Sequence, residues 1–154
     1  MIRFCFILFA CCFAFTARAQ VEWISLDELS DRMEGNPKPV FVFIHAPWCG
    51  YCRMMEKNVF TDGEVGRGIN QDYYSISIDA ENSDTLMYRG VLYPPDVQPN
   101  GKMINRLAKQ IGEVDGKLTF PTCVFLDTNL VVRAQYNSYL KKSELTHILK
   151  TLTK

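Results

Sequence analysis

Cys49 and Cys52 stand three residues apart in the stretch APWCGYCRMMEKNVF, directly after an apolar run and directly before a segment with helical spacing. Residues three apart at the start of a helix lie about 5–6 Å from each other, a separation that a disulfide tolerates. Such a pair can open and close without moving the backbone. A helix N-terminus also presents unpaired N–H groups and a partial positive charge, which favour a thiolate over a thiol at the first cysteine. On this reading Cys49 is the nucleophile, and Cys52, one turn further in, attacks the mixed disulfide that Cys49 forms. Two other chemistries stay open. A zinc or copper site needs further ligands, for which Cys123, His45 and His147 are available, none of them in a second paired motif. A fixed structural staple is the third, although a chain this rich in Val, Ile, Leu and Phe has other means of holding itself together.

Further residues could tune that chemistry. His45 ends the apolar run four residues before Cys49, where it either adjusts the thiolate or packs as a strand-end residue. Glu56 follows Cys52 by four residues and Cys49 by seven, so on a helix it shares their face. Desolvation beside the apolar strand would raise its pKa and make it a base and acid near neutral pH. The alternative for Glu56 is a solvated side chain paired with Arg53 or Lys57. Cys123 lies inside an apolar strand, the usual setting of a buried, inert thiol, and His147 reads as a solvated helix residue.

The compartment decides what a cysteine pair can do. The chain opens with Arg3, the apolar run Phe4 to Phe15, and then Ala17-Arg18-Ala19, small residues suited to a cleavage site before Gln20. Residues 1–19 therefore read as a secretory signal peptide, since the run is well short of the roughly 20 apolar residues that cross a bilayer. The expected location is the periplasm. A lipid-anchored form is the alternative, because Leu8-Phe9-Ala10-Cys11 resembles a lipobox. Without Arg3 and Arg18 the chain has a small acidic excess and no long run of either sign, which argues against nucleic acid as a partner.

The elements that must position the pair follow from pattern. Val21 to Ile24 is a short strand candidate, and Ser25 with Glu28 forms a capping box that opens a helix to about Met33. VFVFIH, Val40 to His45, is a β-branched and aromatic run suited to a central strand buried on both faces. Cys52 to Phe60 reads as a helix, Tyr73 to Asp79 as a second strand and Lys102 to Ile111 as a helix. PTCVFLD and LVVRAQY form a hairpin around Asp127-Thr128-Asn129, and Leu145, Ile148, Leu149 and Leu152 stripe a closing helix. Helices alternating with strands predict an α/β fold with a mixed central sheet. Functional groups in such sheets gather beyond the C-terminal ends of parallel strands, where the cysteine pair falls.

APWCGYC after a buried strand, with Phe120-Pro121-Thr122 opening a later one, resembles the thioredoxin superfamily. Within it the chain is similar to secreted bacterial thioredoxin-like proteins and to the periplasmic C-terminal domain of the transmembrane disulfide reductase. The resemblance covers roughly Lys38 to Asp127 and implies a thioredoxin fold in a thioredoxin-like domain, taken as residues 20–154, with a Cys49–Cys52 redox disulfide and Pro121 as a cis-proline beside it. Trp48, Tyr51, Phe120 and Thr122 would then meet the substrate. It also implies protein dithiol or disulfide substrates, an upstream thiol–disulfide electron donor such as a membrane reductase, and no cofactor. The reductase domain resembles this chain further in carrying a glutamate at the offset of Glu56.

Three departures stand out. Thioredoxins carry a buried aspartate where this chain has Phe43. The dipeptide between the cysteines is Gly50-Tyr51, the pair seen in the periplasmic disulfide isomerase, which leaves the direction of electron flow open. Residues 82–117 form an insertion, read either as a tolerated surface loop or as a partner-recognition element. The expected activity is an exported thiol–disulfide oxidoreductase working as a protein-disulfide reductase. An oxidase or isomerase and a metal-binding or copper-delivery module are the alternatives.

Overall fold

The computed structural model describes residues 20–152. The expected leader and its lipobox cysteine lie outside them. Val21 to Ile24 is not a strand: Trp23 makes one isolated parallel bridge to Ser75, and the segment is held by Val21 N–H to the Phe60 carbonyl and Ile24 N–H to the Ser75 carbonyl, both 2.9 Å. Helix α1 (Leu26–Gly35) follows, its first turn capped by the Ser25 hydroxyl accepting from the Glu28 N–H. The capping box is one-sided, because the Glu28 carboxylate turns to Arg32 at 2.7 Å.

Strand β1 (Val40–His45) leads into α2 (Gly50–Asn58). Next comes α3 (Gly63–Asp72), whose N-cap Asp62 accepts from the N–H groups of Glu64 and Val65 and pairs with Lys142 at 2.9 Å. The Lys142 hydrogen bond, then those amides, hold the Asp62 carboxyl below the usual range. Strand β2 (Tyr74–Asp79) runs parallel to β1, residue by residue from Val40 opposite Tyr74 to His45 opposite Asp79.

The insertion is two small hairpins and a helix. Strands β3 (Leu86–Tyr88) and β4 (Val91–Tyr93) pair around Arg89 and Gly90, both with positive φ. Strands β5 (Pro95–Val97) and β6 (Met103–Asn105) form the second hairpin, and α4 (Arg106–Gly112) follows directly. The helix expected from Lys102 thus starts later, because Asn105 caps it: its Oδ1 accepts from the N–H groups of Leu107 and Ala108. Strands β7 (Thr122–Leu126) and β8 (Val132–Tyr136) are antiparallel, with a register shift at Phe125/Leu126, and α5 (Lys142–Leu152) closes the described chain.

The main sheet has the order β2-β1-β7-β8. Its central strand is apolar on both sides because both sides are covered. Phe41 and Phe43 face α2, α3 and α5 through Met55, Ile69 and Leu145. Val40, Val42 and Ile44 face α1 and α4 through Leu29, Leu107 and Ile111. Gly112 lets α4 lie close to β1, since a Cβ there would come 2.5 Å from Ile44 Cδ1. The expected mixed sheet flanked by helices is the observed architecture.

Candidate active site

The pair sits where β1 ends. Residues 46–49 form a tight turn in which the Cys49 N–H donates to the Ala46 carbonyl at 3.0 Å, and the Arg53 guanidinium donates to the Pro47 carbonyl at 2.8 Å. Cys49 is the N-cap of α2, with its Sγ accepting from the Cys52 N–H at 3.1 Å. Cys49 and Cys52 are joined in a disulfide, S–S 2.06 Å and Cα–Cα 5.3 Å. Once the bond opens, the same N–H and the positive helix end face the Cys49 sulfur and favour its thiolate. Cys49 is 4% exposed and Cys52 1%.

The segment before β7 completes the site. The Phe120–Pro121 peptide is cis. The Phe120 ring meets Trp48 edge to face at 5.8 Å, so one aromatic comes from each side of the reactive centre. Trp48 is 59% exposed, yet its position is held: Nε1 donates to Glu81 Oε1 at 2.9 Å, and Lys102 Nζ lies 5.2 Å from the ring centroid. Lys102 also pairs with Glu81 at 3.4 Å. Glu81 and Lys102 are the site residues that sequence reasoning missed. They reach Trp48 from 33 and 54 positions away, and no local signal marks them. Tyr51 is exposed, its ring 6.3 Å from Tyr139.

Two sequence expectations change, at Glu56 and Thr122. Met55 and Val59 take the buried stripe of α2, and Glu56 is exposed rather than set against the apolar strand. Thr122, expected to meet substrate, is fully buried, and its hydroxyl donates to the Thr119 carbonyl at 2.7 Å, closing the turn that contains Pro121. His45 is half-buried and stacks on Phe43, ring centroids 5.4 Å apart, on the sheet face that carries the disulfide. Cys123 lies opposite Phe43 in the neighbouring strand, and burial pushes its thiol pKa up, so it stays protonated near neutral pH. Among the described residues no cluster of three or more His, Cys, Asp or Glu side chains could hold a metal ion.

A redox-capable pair at a helix start, beside a cis-proline in an α/β sheet, defines a thioredoxin-type site. The chain belongs to the thioredoxin-like domain family, whose profile matches residues 26–153. Spermatogenesis-associated protein 20 of Homo sapiens is 32% identical over 62 residues, 40% of this chain and 8% of that protein. The chain therefore spans about 8% of the length of the curated relatives it matches. A thioredoxin from Thermus thermophilus has the same fold at a TM-score of 0.61 and 18% identity, over 87% of this chain and 88% of that one. The C-terminal domain of Neisseria meningitidis DsbD, solved in its oxidised form, aligns at a TM-score of 0.52 and 14% identity, over 85% of this chain and 98% of that one.

Proposed function

We propose that the protein reduces disulfides of exported proteins in the periplasm. The observation that carries this reading is the Cys49–Cys52 disulfide capping α2 beside the cis Phe120–Pro121 peptide. In the reduced protein the Cys49 thiolate attacks one sulfur of a substrate disulfide, and the other substrate sulfur leaves as a thiolate. Cys52, losing its proton, then attacks Cys49 Sγ and expels the second substrate sulfur. Two electrons and two protons pass to the substrate, and the Cys49–Cys52 bond forms. An upstream dithiol, such as that of a membrane reductase, must reduce it again. With Glu56 in solvent and Phe43 in the strand, the Cys52 proton goes to water or to His45.

The leader-like residues 1–19 support the location. Gly50-Tyr51 favours the second reading, an oxidase or isomerase.

The test begins with alkylation of the reduced protein near neutral pH. Cys49 should label first and Cys123 last; faster labelling of Cys52 or Cys123 defeats the assignment. Cys52→Ala should trap mixed disulfides with substrate proteins. The reduction potential should fall nearer the about −270 mV of thioredoxin than the about −120 mV of a strong periplasmic oxidant, and a value near the latter reverses the direction.

A further inference from the structure

Residues 82–117 do more than decorate the sheet. Between the β5–β6 hairpin, α4 and the segment leading to Pro121 lies a groove of about 250 Å³. Gln98 and Ile104 line it from the hairpin, Lys109 and Glu113 from α4, and Leu118 and Phe120 from the segment before β7. Phe120 belongs to two places at once. One side of its environment is this groove, and the other is the edge-on contact with Trp48 at the reactive centre. The hairpin is fastened to that centre as well, since Lys102, one residue before β6, sits over the Trp48 ring and pairs with Glu81. The groove is therefore linked to the reactive centre through the Phe120 ring, which lines the one and meets Trp48 at the other.

We propose that this groove is a subsite for an apolar side chain of a polypeptide substrate, carried a few residues from the cysteine under attack. The inference rests on the reading that Cys49 exchanges with protein disulfides. Trp48 precedes Cys49 and its ring meets Phe120 at 5.8 Å, and an extended chain advances about 3.3 Å per residue, so the groove would be reached by a residue a few positions from the cysteine under attack. The chemistry of the walls selects what it carries. Ile104, Leu118 and Phe120 form an apolar wall facing Gln98 and the pair Lys109 and Glu113, 4.0 Å apart, whose charges offset each other and whose aliphatic stems flank the space. Neither an acidic nor a basic side chain finds an unopposed partner there. A leucine or phenylalanine buries surface that is otherwise wet. Small disulfides reach Cys49 without entering the groove, so the insertion separates polypeptide clients from low-molecular-weight ones.

The test uses peptides whose single cysteine is a mixed disulfide with thionitrobenzoate, read by release of the coloured thiol, and bis(2-hydroxyethyl) disulfide as the small substrate. Leucine and aspartate are compared at each of three positions on either side of the cysteine. With the reduced protein, leucine should raise kcat/KM about tenfold over aspartate at one or two positions on one side only. Gln98→Trp and Lys109→Trp fill the groove from opposite walls, and either should bring that ratio close to one. The ratio is taken within each variant, so a general loss of reactivity cancels. Equal rates for all peptides, with the small disulfide still reduced, overturn the subsite. A preference that survives in both variants overturns it too. Failure to reduce any disulfide, the small one included, overturns instead the exchange reading beneath it.

Discussion

The reactive centre and the insertion are neighbours built on opposite plans. Around the disulfide the chain is closed by apolar packing: Phe41, Phe43 and Phe125 are fully buried, and Trp23 meets Phe60 at 5.2 Å. The hairpins of the insertion are held largely by polar bonds, with Asn105 at their centre. Besides capping α4, Asn105 donates through Nδ2 to the carbonyls of Asp84 and Tyr93, and its N–H donates to the Ala80 carbonyl at 2.8 Å. Ala80 in turn donates to the His45 carbonyl at the end of β1. Meanwhile Met87, Val91, Leu92, Val97 and Met103 face solvent. A densely packed sheet holds the sulfur chemistry in place, and α4 joins it through the buried Leu107, Ala108 and Ile111, whereas the two hairpins turn apolar side chains outward and open at lower cost.

The contrast breaks first in the sheet. Phe43→Ala removes a ring packed against Phe60 and His45 and should cost about 3–5 kcal/mol in urea unfolding. A loss near that from truncating a side chain in the two hairpins would erase the distinction. Asn105→Ala strips two helix N–H groups and two carbonyls of their partner, and should cost about 1–3 kcal/mol. Hydrogen exchange should then rise through residues 82–112 and stay low in β1 and β7.

Alkali separates the regions by a different route. Burial raises the Tyr73 and Tyr88 hydroxyls from 10.0 to about 12. A phenol that ionises later in the folded chain supports the fold below pH 10, and its contribution is lost as pH rises from 10 toward 12. Tyr73 belongs to the face with the disulfide and Tyr88 to the insertion, where its hydroxyl donates to the Leu130 carbonyl. Tyr88→Phe should remove about half of the alkaline loss and cost about 1 kcal/mol at neutral pH. An unchanged alkaline curve would mean that the insertion opens before its tyrosine ionises. The smallest effect is expected at Glu56: Glu56→Gln should leave insulin reduction within about twofold from pH 6 to 9. A larger slowing restores Glu56 as a proton acceptor.

What the sequence disclosed follows the same division. Val40 to His45 and the later hairpin were legible because a continuous β-branched and aromatic run has few alternatives to a buried strand. The CGYC stretch was legible because its chemistry is local to one turn. Helix α3 escaped notice, since Gly63, Gly66 and Gly68 dilute its apolar spacing, although Asp62 was a usable cap signal. The four strands of the insertion are three residues each, too short for alternation to register. Asn105 marked the true start of α4, but its carbonyl partners at Asp84 and Tyr93 are tertiary facts. Trp48 was recognisable as a flank, while the Glu81–Lys102 pair that holds it exists only once the insertion has folded back.

The chain holds two tryptophans, and the fold has put them to separate uses. Trp23 is packed against Phe41, Phe43 and Phe60, whereas Trp48 precedes the disulfide, 59% exposed and tied to the insertion through Glu81 and Lys102. Light absorbed by the second indole is emitted next to a disulfide, a quencher when closed, and under the Lys102 ammonium 5.2 Å from the ring centroid. Emission from the first senses whether the sheet is folded. The protein thus carries its own optical label for redox state, and an independent one for integrity, with no dye required.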